Sequence, residues 1–401
     1  LEGNGLQRHY TTYNFVVNPN SETTKVRFVT DSSSKTETGL SLNDVVKVPP
    51  GNIPLMRGIL MRTRAAEVMM IFDIEKFFRT IYISPKDSNL RLLFLPKGGF
   101  SKHKQGEKWE FETIRELAIP FGDGPACDYS ISCKDHIVKK NISLIKEHLR
   151  AKVLKAVVED CYVDDGNAML SNSDDIKEYQ DAITMVLGRG GFRIKGFETR
   201  AGGGETKYLG VTWCKDDDTY KLKFRLNLGR IDRGERLDPD LTEEAAEKMV
   251  EVSRRDLLGL TCQFYDPAGL GTPLIMGLRI IQSRVCNTMA TGMRRFIEAK
   301  EAEGVRSAVR EMIKGREIKF PRQIIHGGRT EIVICFEGSL AAYGAAAYVV
   351  RPGGANLLTS VGKVIGKGKY TAPKSEMSGA VLATRLSRKI QEELTNVEVD
   401  R

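Results

Sequence analysis

The sequence predicts an α+β fold divided among more than one domain. Three observations lead there: runs with the length and alternation of strands, amphipathic stretches carrying helix-capping signals, and a length of 401 residues, enough for two or three domains each with its own core. The same pattern places a β-α-β-β order around an acidic turn, "EDCYVDDGNAML", and that turn raises the question of function.

The composition is that of a globular protein, with 41% hydrophobic and 28% charged residues and no low-complexity tract. No apolar run is long enough to cross a bilayer, so no membrane partner is expected, and no signal-peptide pattern opens the chain. The first residue is Leu1 rather than Met, which reads as a processed or excised product. The formal charge of +9, from 61 Lys and Arg against 52 Asp and Glu, suits a polyanionic partner better than an acidic substrate, although an ordinary basic surface would give the same number. Seven scattered cysteines, never spaced C-x-x-C, point to a reducing, intracellular setting. The five histidines form no metal-ligand cluster, so zinc is not expected.

The elements follow in order. "YNFVV" and "TKVRFVTDSSS" alternate as strands before a polar loop, and "SLNDVVKVPPGNIPLMRGILMRTR" reads as a loop with Pro-bearing turns followed by a short basic helix. Val68–Phe72 is a continuous apolar run ending in Asp73, and "IEKFFRTI" after it has helical spacing. "YISPKDSNLRLLFLP" and "KWEFETIREL" read as further strands. From "PFGDGPACDYS" a long amphipathic helix carries the chain to a hairpin whose strands are "KAVVEDCYV" and "AML". "SNSDDIKEYQDAITMVLGRGG" is a helix with Ser and Asp at its start and Gly at its end. "FRIKGFETR" and "TKYLGVTWCKDDDTYKLKF" are strand-like. Leu241–Ala290 is mostly helical around "YDPAGLGTP", and a charged helix over roughly Arg294–Lys314 leads to a compositional break near "KFPRQIIHGG". "EIVICFEGSLAAYGAAAYVV" has the pattern of a β-hairpin, and a helix follows Pro373. "GKVIGKGKYT" lacks the spacing of a P-loop, and "AGGGE" reads as a flexible turn.

Adjacent carboxylates at a hairpin tip have two readings. Asp, Gly and Asn are ordinary turn residues, and Asp73 could simply cap a helix. Alternatively, a strand end and a hairpin tip lie side by side in one antiparallel sheet, so that Asp73 faces one of Asp164 and Asp165, since successive strand residues point to opposite faces. Such carboxylates could hold a pair of Mg²⁺ ions that activate a hydroxyl and stabilise leaving pyrophosphate.

The order of the motifs decides between them. Tyr162-Val163-Asp164-Asp165 and "DIEKFF" resemble the catalytic motifs of reverse transcriptases, and "TKVRFVTDSSS…SLND", "PFG…P", "GGFRIK", "YLGVTW" and "YDPAGLGTP" occur in the order shown by long-terminal-repeat retrotransposons of the BEL/Pao group. The resemblance implies a right-hand polymerase, with fingers and ferredoxin-like palm at 1–228, helical thumb at 229–293 and a connecting helix at 294–323, followed by a partial ribonuclease H-like α/β domain at 324–401. It implies that Asp73, Asp164 and Asp165 bind two Mg²⁺ ions, which Mn²⁺ can replace, with Asp164 the closer ligand of the hairpin pair. It makes Arg27, with Lys25 beside it, the contact to the incoming triphosphate, Phe78 a gate against the ribose 2′-OH, Lys195 a pyrophosphate-side lysine, and Tyr208-Leu209-Gly210 the turn that grips the primer. Phe78 also reads as a core residue, and Arg27, Lys195 and the Tyr208 turn as surface or packing residues. The loop "FGDGP" has two residues between Gly122 and Pro125 where the family usually has four, which leaves the roles of Phe121 and Gly122 open.

The resemblance further implies that Glu337 and Glu376 are ribonuclease H carboxylates, the first standing where the family has Asp. The chain stops at Arg401 before a third, so a truncated domain without ribonuclease H activity is expected. The implied partners are an RNA template, a DNA primer, RNA–DNA hybrid and dNTPs, with a dimer left open, in cytoplasmic element particles or the nucleus. The function expected is RNA-directed DNA polymerisation. The alternative is a catalytically silent nucleic-acid-binding or structural subunit derived from such an element.

Overall fold

The structure is a computed structural model that describes residues 8–17, 25–100, 108–228, 231–232, 235–236, 240–249, 251–286, 296–366, 370–395 and 399–400. In chain order the elements begin with β1 (Thr12–Val17), β2 (Val26–Asp31), α1 (Leu42–Val45), α2 (Met56–Thr63), β3 (Val68–Glu75), α3 (Pro85–Ser88), β4 (Leu92–Pro96) and β5 (Phe111–Arg115). They continue with α4 (Ala126–Asn141), α5 (Glu147–Leu154), β6 (Cys161–Tyr162), β7 (Asp165–Leu170), α6 (Ile176–Gly188), β8 (Arg193–Glu198), β9 (Glu205–Tyr208), β10 (Val211–Cys214) and β11 (Thr219–Leu222). After the short pair β12 (Ile231–Asp232) and β13 (Glu235–Arg236) come α7 (Glu243–Glu247), α8 (Arg254–Gln263), α9 (Thr272–Cys286), α10 (Ala299–Gly315) and β14 (Lys319–Pro321). The chain closes with β15 (Thr330–Gly338), β16 (Ala342–Arg351), β17 (Gly354–Val364), α11 (Ala372–Glu393) and β18 (Val399–Asp400).

Contacts divide the chain into two compact units. One comprises Leu1–Pro54, Phe72–Ala168 and Asp175–Phe197; the other comprises Leu55–Ile71, Met169–Asp174 and Glu198–Arg401.

The acidic turn belongs to a four-stranded sheet of order β6-β7-β3-β8. Met69, Met70, Ile71, Phe72 and Ile74 of β3 are all buried, which is why the strand reads as a continuous apolar run rather than an alternating one. Helix α6 starts where Asp175 accepts the amides of Lys177 and Glu178, at 2.9 and 3.2 Å, and buries Tyr179, Ala182, Ile183, Val186 and Leu187. That i, i+3, i+4, i+7, i+8 spacing is one helical stripe.

Four local expectations change. "KAVVEDCYV" is not a strand: α5 runs to Leu154, a π-helical turn covers Lys155–Glu159, and only Cys161–Tyr162 pairs as β6. A short apolar run is equally compatible with buried helix, and here Ala156 and Val157 are buried as helix residues. The long helix before the hairpin is broken between α4 and α5, with a 3-10 turn at Ile142–Leu144. "IEKFFRTI" is not a helix of its own, because β3 continues to Glu75 and left-handed Lys76 (φ 51°) turns the chain into a single 3-10 turn, Phe77–Thr80. Pro373 lies within the first turn of α11 rather than before it, where its missing N–H costs nothing.

In the second unit the sheet β14-β11-β10-β9 turns one face to the core through Tyr208, Val211, Trp213, Tyr220 and Leu222. A second sheet, β17-β16-β15-β18, pairs β15 with β18 in parallel and all else antiparallel, and α11 packs Leu382, Ala383, Leu386 and Ile390 against Ala345, Ala347 and Val349. Two buried arginines tie segments of this unit together. Arg322 makes a fork to both Asp218 oxygens at 2.7 Å and donates to the carbonyls of Thr63 (2.8 Å), Ala66 (2.6 Å) and Glu67 (3.2 Å). Arg64 donates to the Arg322 carbonyl at 2.9 Å and to that of Leu357 at 3.1 Å.

Candidate active site

The acidic turn is a two-residue hairpin. Tyr162 pairs with Asp165 and Cys161 with Gly166, leaving Val163 and Asp164 at the tip. Val163 has φ 62°, a left-handed conformation that a β-branched residue adopts only under strain. The hairpin expected from the sequence is present, but its turn is shifted: Asp165, Gly166 and Asn167, read as turn residues, belong to β7, and the tip is Val163–Asp164, with the strain on Val163.

Asp73 reaches this tip through the backbone. The amide of Ile74, its neighbour on β3, donates to the Asp164 carbonyl at 3.0 Å. A Cβ on Gly166 would lie 2.1 Å from the Phe72 ring, so Gly166 and Phe72 share one face of the sheet. By strand alternation Asp165 and Asp73 then share the other. Asp164 sits in the turn, where alternation does not apply.

The carboxylates feel one another. Burial and the neighbouring Asp73 raise the Asp164 carboxyl above its ordinary range, while Arg27 opposes the shift. Burial, Asp164 and Asp73 together push Asp165 up to about 7. Asp164 and Asp165 thus lie within electrostatic range of Asp73 and of each other, and the cation that opposes the shift of Asp164 is Arg27, on β2. Among the described residues no three His, Cys, Asp or Glu side chains are gathered closely enough to cage a metal ion by themselves.

These shifts set a pH dependence. Folded Asp165 holds its proton to higher pH than the unfolded chain does, so between about pH 4 and pH 7 the folded state binds more protons and stability falls as pH rises. The melting temperature of metal-free protein should drop across that window. The Asp165→Asn variant should flatten the slope, and an unchanged slope would exclude this carboxylate as its source.

Phe77 and Phe78 divide the two readings of the "FF" pair. Phe77 is 2% exposed and packs on Phe192, at 5.6 Å between ring centres, whereas Phe78 is only half-buried and meets Phe121 edge to face at 5.3 Å. Phe121 opens the shortened "FGDGP" loop, which is held from several sides. Thr30 donates its amide (3.1 Å) and hydroxyl (2.7 Å) to the Phe121 carbonyl. Asn43 donates to the Gly122 carbonyl at 3.0 Å and accepts the Gly124 amide at 2.8 Å. Buried Asp123 accepts from Ser32 and from Arg91, each at 2.5 Å. Gly122 has φ 108°, and a Cβ there would lie 2.1 Å from the Thr30 carbonyl oxygen. The motifs "TDSSS", "SLND" and "FGDGP" are therefore one hydrogen-bonded unit.

The remaining candidates lie apart. Lys25 is exposed at a bend before β2, and Lys195 is exposed on β8, two strands from the hairpin strand β7. Tyr208-Leu209-Gly210 is a tight turn of the second unit, between β9 and β10, with Leu209 and Gly210 both at positive φ (43° and 82°). A Cβ on Gly210 would strike Tyr265 and Pro267 at 2.5 and 2.9 Å, so this turn packs on the "YDPAGLGTP" loop. Glu337 ends β15 next to the start of α11, since a Cβ on Gly338 would lie 2.6 Å from the Glu376 amide nitrogen. Both glutamates are exposed.

Two contributors escaped the sequence reading. Lys134 of α4 is fully buried, its ammonium donating to the Val157 carbonyl of the π-helical turn and pairing with Asp135 at 3.4 Å. Its spacing within an amphipathic helix was the only available sign. Gly166 is the other. A Gly→Ala change there forces a methyl into the Phe72 ring, and overpacking of this kind costs about 1–3 kcal/mol. Gly166→Ala should lower unfolding free energy by that amount in urea titrations, and a second change, Phe72→Leu, should recover part of it. Additive losses would mean that the two sites are uncoupled.

Residues 253–401 match the family model described as Pao retrotransposon-like RNaseH-like domain. The fold is similar to that of the foamy viral protease-reverse transcriptase dRH in complex with ds DNA, with a TM-score of 0.58 and 13% identity over 96% of this chain and 57% of that one. It is also similar to the foamy viral protease-reverse transcriptase in complex with RNA/DNA hybrid, with a TM-score of 0.58 and 14% identity over 96% of this chain and 44% of that one. The chain thus spans about half the length of these structures. No curated protein matches it. At such identity the likeness concerns the fold, a mixed α/β chain of the retroviral reverse transcriptase kind with a ribonuclease H-like part. The family match concerns residues 253–401 only, and the structural likeness extends over 96% of the chain as a shared fold.

Proposed function

We propose that the chain is an RNA-directed DNA polymerase of a BEL/Pao-type retrotransposon, acting on RNA or DNA templates with a DNA primer and dNTPs. The observation that carries the reading is that Asp73 and Asp165 share one sheet face beside the hairpin tip that bears Asp164, with Arg27 in electrostatic range of Asp164. We assign residues 1–228 to fingers and palm, 229–293 to a thumb and 294–323 to a connecting helix, ahead of the ribonuclease H-like segment.

The donor set fits Mg²⁺. This ion is usually held by one or two carboxylates together with substrate phosphates rather than by an all-protein cage, which agrees with three acids that do not close a cage of their own. When bound on Asp73, Asp164 and Asp165, it would lower the pKa of the primer 3′-OH and neutralise charge on the leaving pyrophosphate. The primer oxygen bonds to the α-phosphorus, the bond from that phosphorus to the β-phosphate bridge breaks so that pyrophosphate leaves, and the hydroxyl proton passes to solvent water. Arg27 offers a planar fork to the triphosphate. Lys25 and Lys195 are assigned auxiliary phosphate contacts, and the Tyr208-Leu209-Gly210 turn the primer end. Glu337 and Glu376 fall short of the roughly four carboxylates a ribonuclease H site uses, so no hydrolytic step is assigned to them.

Primer extension by the purified chain on an RNA template tests the reading, and no incorporation with either Mg²⁺ or Mn²⁺ would refute it. Phe78, half-buried and backed by Phe121, is assigned to meet the sugar. Phe78→Val should raise rNTP use relative to dNTP by about 10- to 100-fold, the scale of a single pocket change of about 1–3 kcal/mol. An unchanged ratio in single-nucleotide incorporation would move the gate elsewhere.

A further inference from the structure

Helix α4 buries Ile131, Lys134 and Val138 on one stripe, so a cation stands where the helix would ordinarily carry an aliphatic residue. The Lys134 ammonium donates to the Val157 carbonyl in the π-helical turn Lys155–Glu159 and pairs with Asp135 at 3.4 Å. It is also hydrogen-bonded to the thiol of Cys161, the first residue of β6. A buried charge is harder to accommodate than an apolar side chain of similar volume, so what Lys134 contributes lies in the groups it holds.

Those groups lead to the hairpin tip. Strand β6 has only two residues and lies at the edge of its sheet, a weak anchor for a tip whose Val163 is strained at φ 62°. Such strain persists only where the surroundings over-determine the conformation. Burial pushes the Cys161 thiol up to about 11, against the pull of the Lys134 ammonium. At neutral pH the thiol therefore keeps its proton, and it donates to the Val163 carbonyl at 3.5 Å. That carbonyl belongs to the peptide bond joining Val163 to Asp164. The amide of Ile74 grips the next carbonyl, that of Asp164, at 3.0 Å. Two successive carbonyls of the tip are thus held, one by the Lys134–Cys161 pair and one by β3.

We propose that Lys134 is a positioning residue, which acts through the π-helical turn and the Cys161 thiol to fix the Val163–Asp164 peptide and so the place of the Asp164 carboxylate. It rests on the polymerase reading for the reaction it serves, but not for the contacts themselves.

Two measurements on the full chain test this. In native-state hydrogen exchange, the Ile74 amide reports the tip and the amides of Ile183 and Val186 in α6 report the surrounding fold. Lys134→Met keeps the stem and removes the donors, and it should speed exchange at Ile74 by about tenfold relative to α6. Equal acceleration at both places would mean that Lys134 only adds stability, and would overturn the proposal. In single-turnover incorporation of one dNTP, the rate constant should fall by about 10- to 100-fold, the scale of a misplacement of about 1 Å, with the dNTP half-saturation and the amplitude kept. A merely structural role would instead lower the amplitude and leave the rate constant parental, which would also overturn it. Cys161→Ala should act in the same way, and Cys161→Ser, which keeps a donor, should recover most of that loss. These two variants carry the test should Lys134→Met not fold, and a parental rate in Cys161→Ala would exclude the thiol link. The double variant Lys134→Met, Cys161→Ala should lose no more than the worse single one, whereas multiplied losses would show that the two side chains act separately. Absent incorporation by the parental chain would count against the polymerase reading alone, and the exchange measurement would still decide whether Lys134 holds the tip.

Discussion

The Asp164→Asn variant is expected to lose primer extension by about 10³-fold while binding primer–template with parental affinity. The change keeps the side chain's size and removes its charge. A metal held on these carboxylates is worth several kcal/mol of transition-state stabilisation, and each 1.36 kcal/mol is a factor of ten in rate. Affinity for nucleic acid comes mainly from phosphate contacts made by cations, which the substitution leaves in place. The backbone carbonyl of Asp164, which accepts the Ile74 amide, is also untouched, so the hairpin should keep its position. Single-turnover extension together with anisotropy separates the two quantities. Extension at the parental rate would refute the polymerase assignment, and a parallel loss of binding would show that the variant had disturbed the fold instead.

Arg322→Ala is expected to lower stability by about 3–5 kcal/mol, the usual cost of removing one partner of a buried ion pair. The Arg322 side chain is 2% exposed. Burial opposes ionisation of Asp218, but the guanidinium of Arg322 and the indole N–H of Trp213 outweigh it and hold the carboxyl below its ordinary range. Without Arg322 that charge would be stranded, and the carbonyls of Thr63, Ala66 and Glu67 would lose their donor. Arg322→Lys should recover only part of the loss, because an ammonium cannot form the fork. Urea unfolding followed by fluorescence, with Trp213 as the buried reporter, measures both. A loss below about 1 kcal/mol for Arg322→Ala would mean that the pair is solvated.

Some of this was readable along the chain. The presence of a hairpin at the acidic stretch follows from its turn residues, though not the exact tip at Val163–Asp164; the burial of β3 follows from its unbroken apolar run, and α6 from its cap and stripe. Where the local signal was ambiguous, reading failed. "KAVVE" suits strand and buried helix alike, and the choice depended on what packs on Ala156 and Val157. "FF" likewise did not say which ring enters the core.

Motif order and the family resemblance were enough to single out Asp73, Asp164, Asp165 and Arg27 as candidates, because a motif is recognised from neighbours along the chain. Their supports carry no such mark. Gly166 is required only because Phe72 lies across from it, and Asp123 matters because Ser32 and Arg91, distant in sequence, converge on it. Arg322 looks like one more surface cation until the carbonyls of a loop more than 250 residues earlier close around it. Packing and desolvation are properties of neighbours in space, and a side chain whose neighbours come from distant segments has its role set only when the chain has folded.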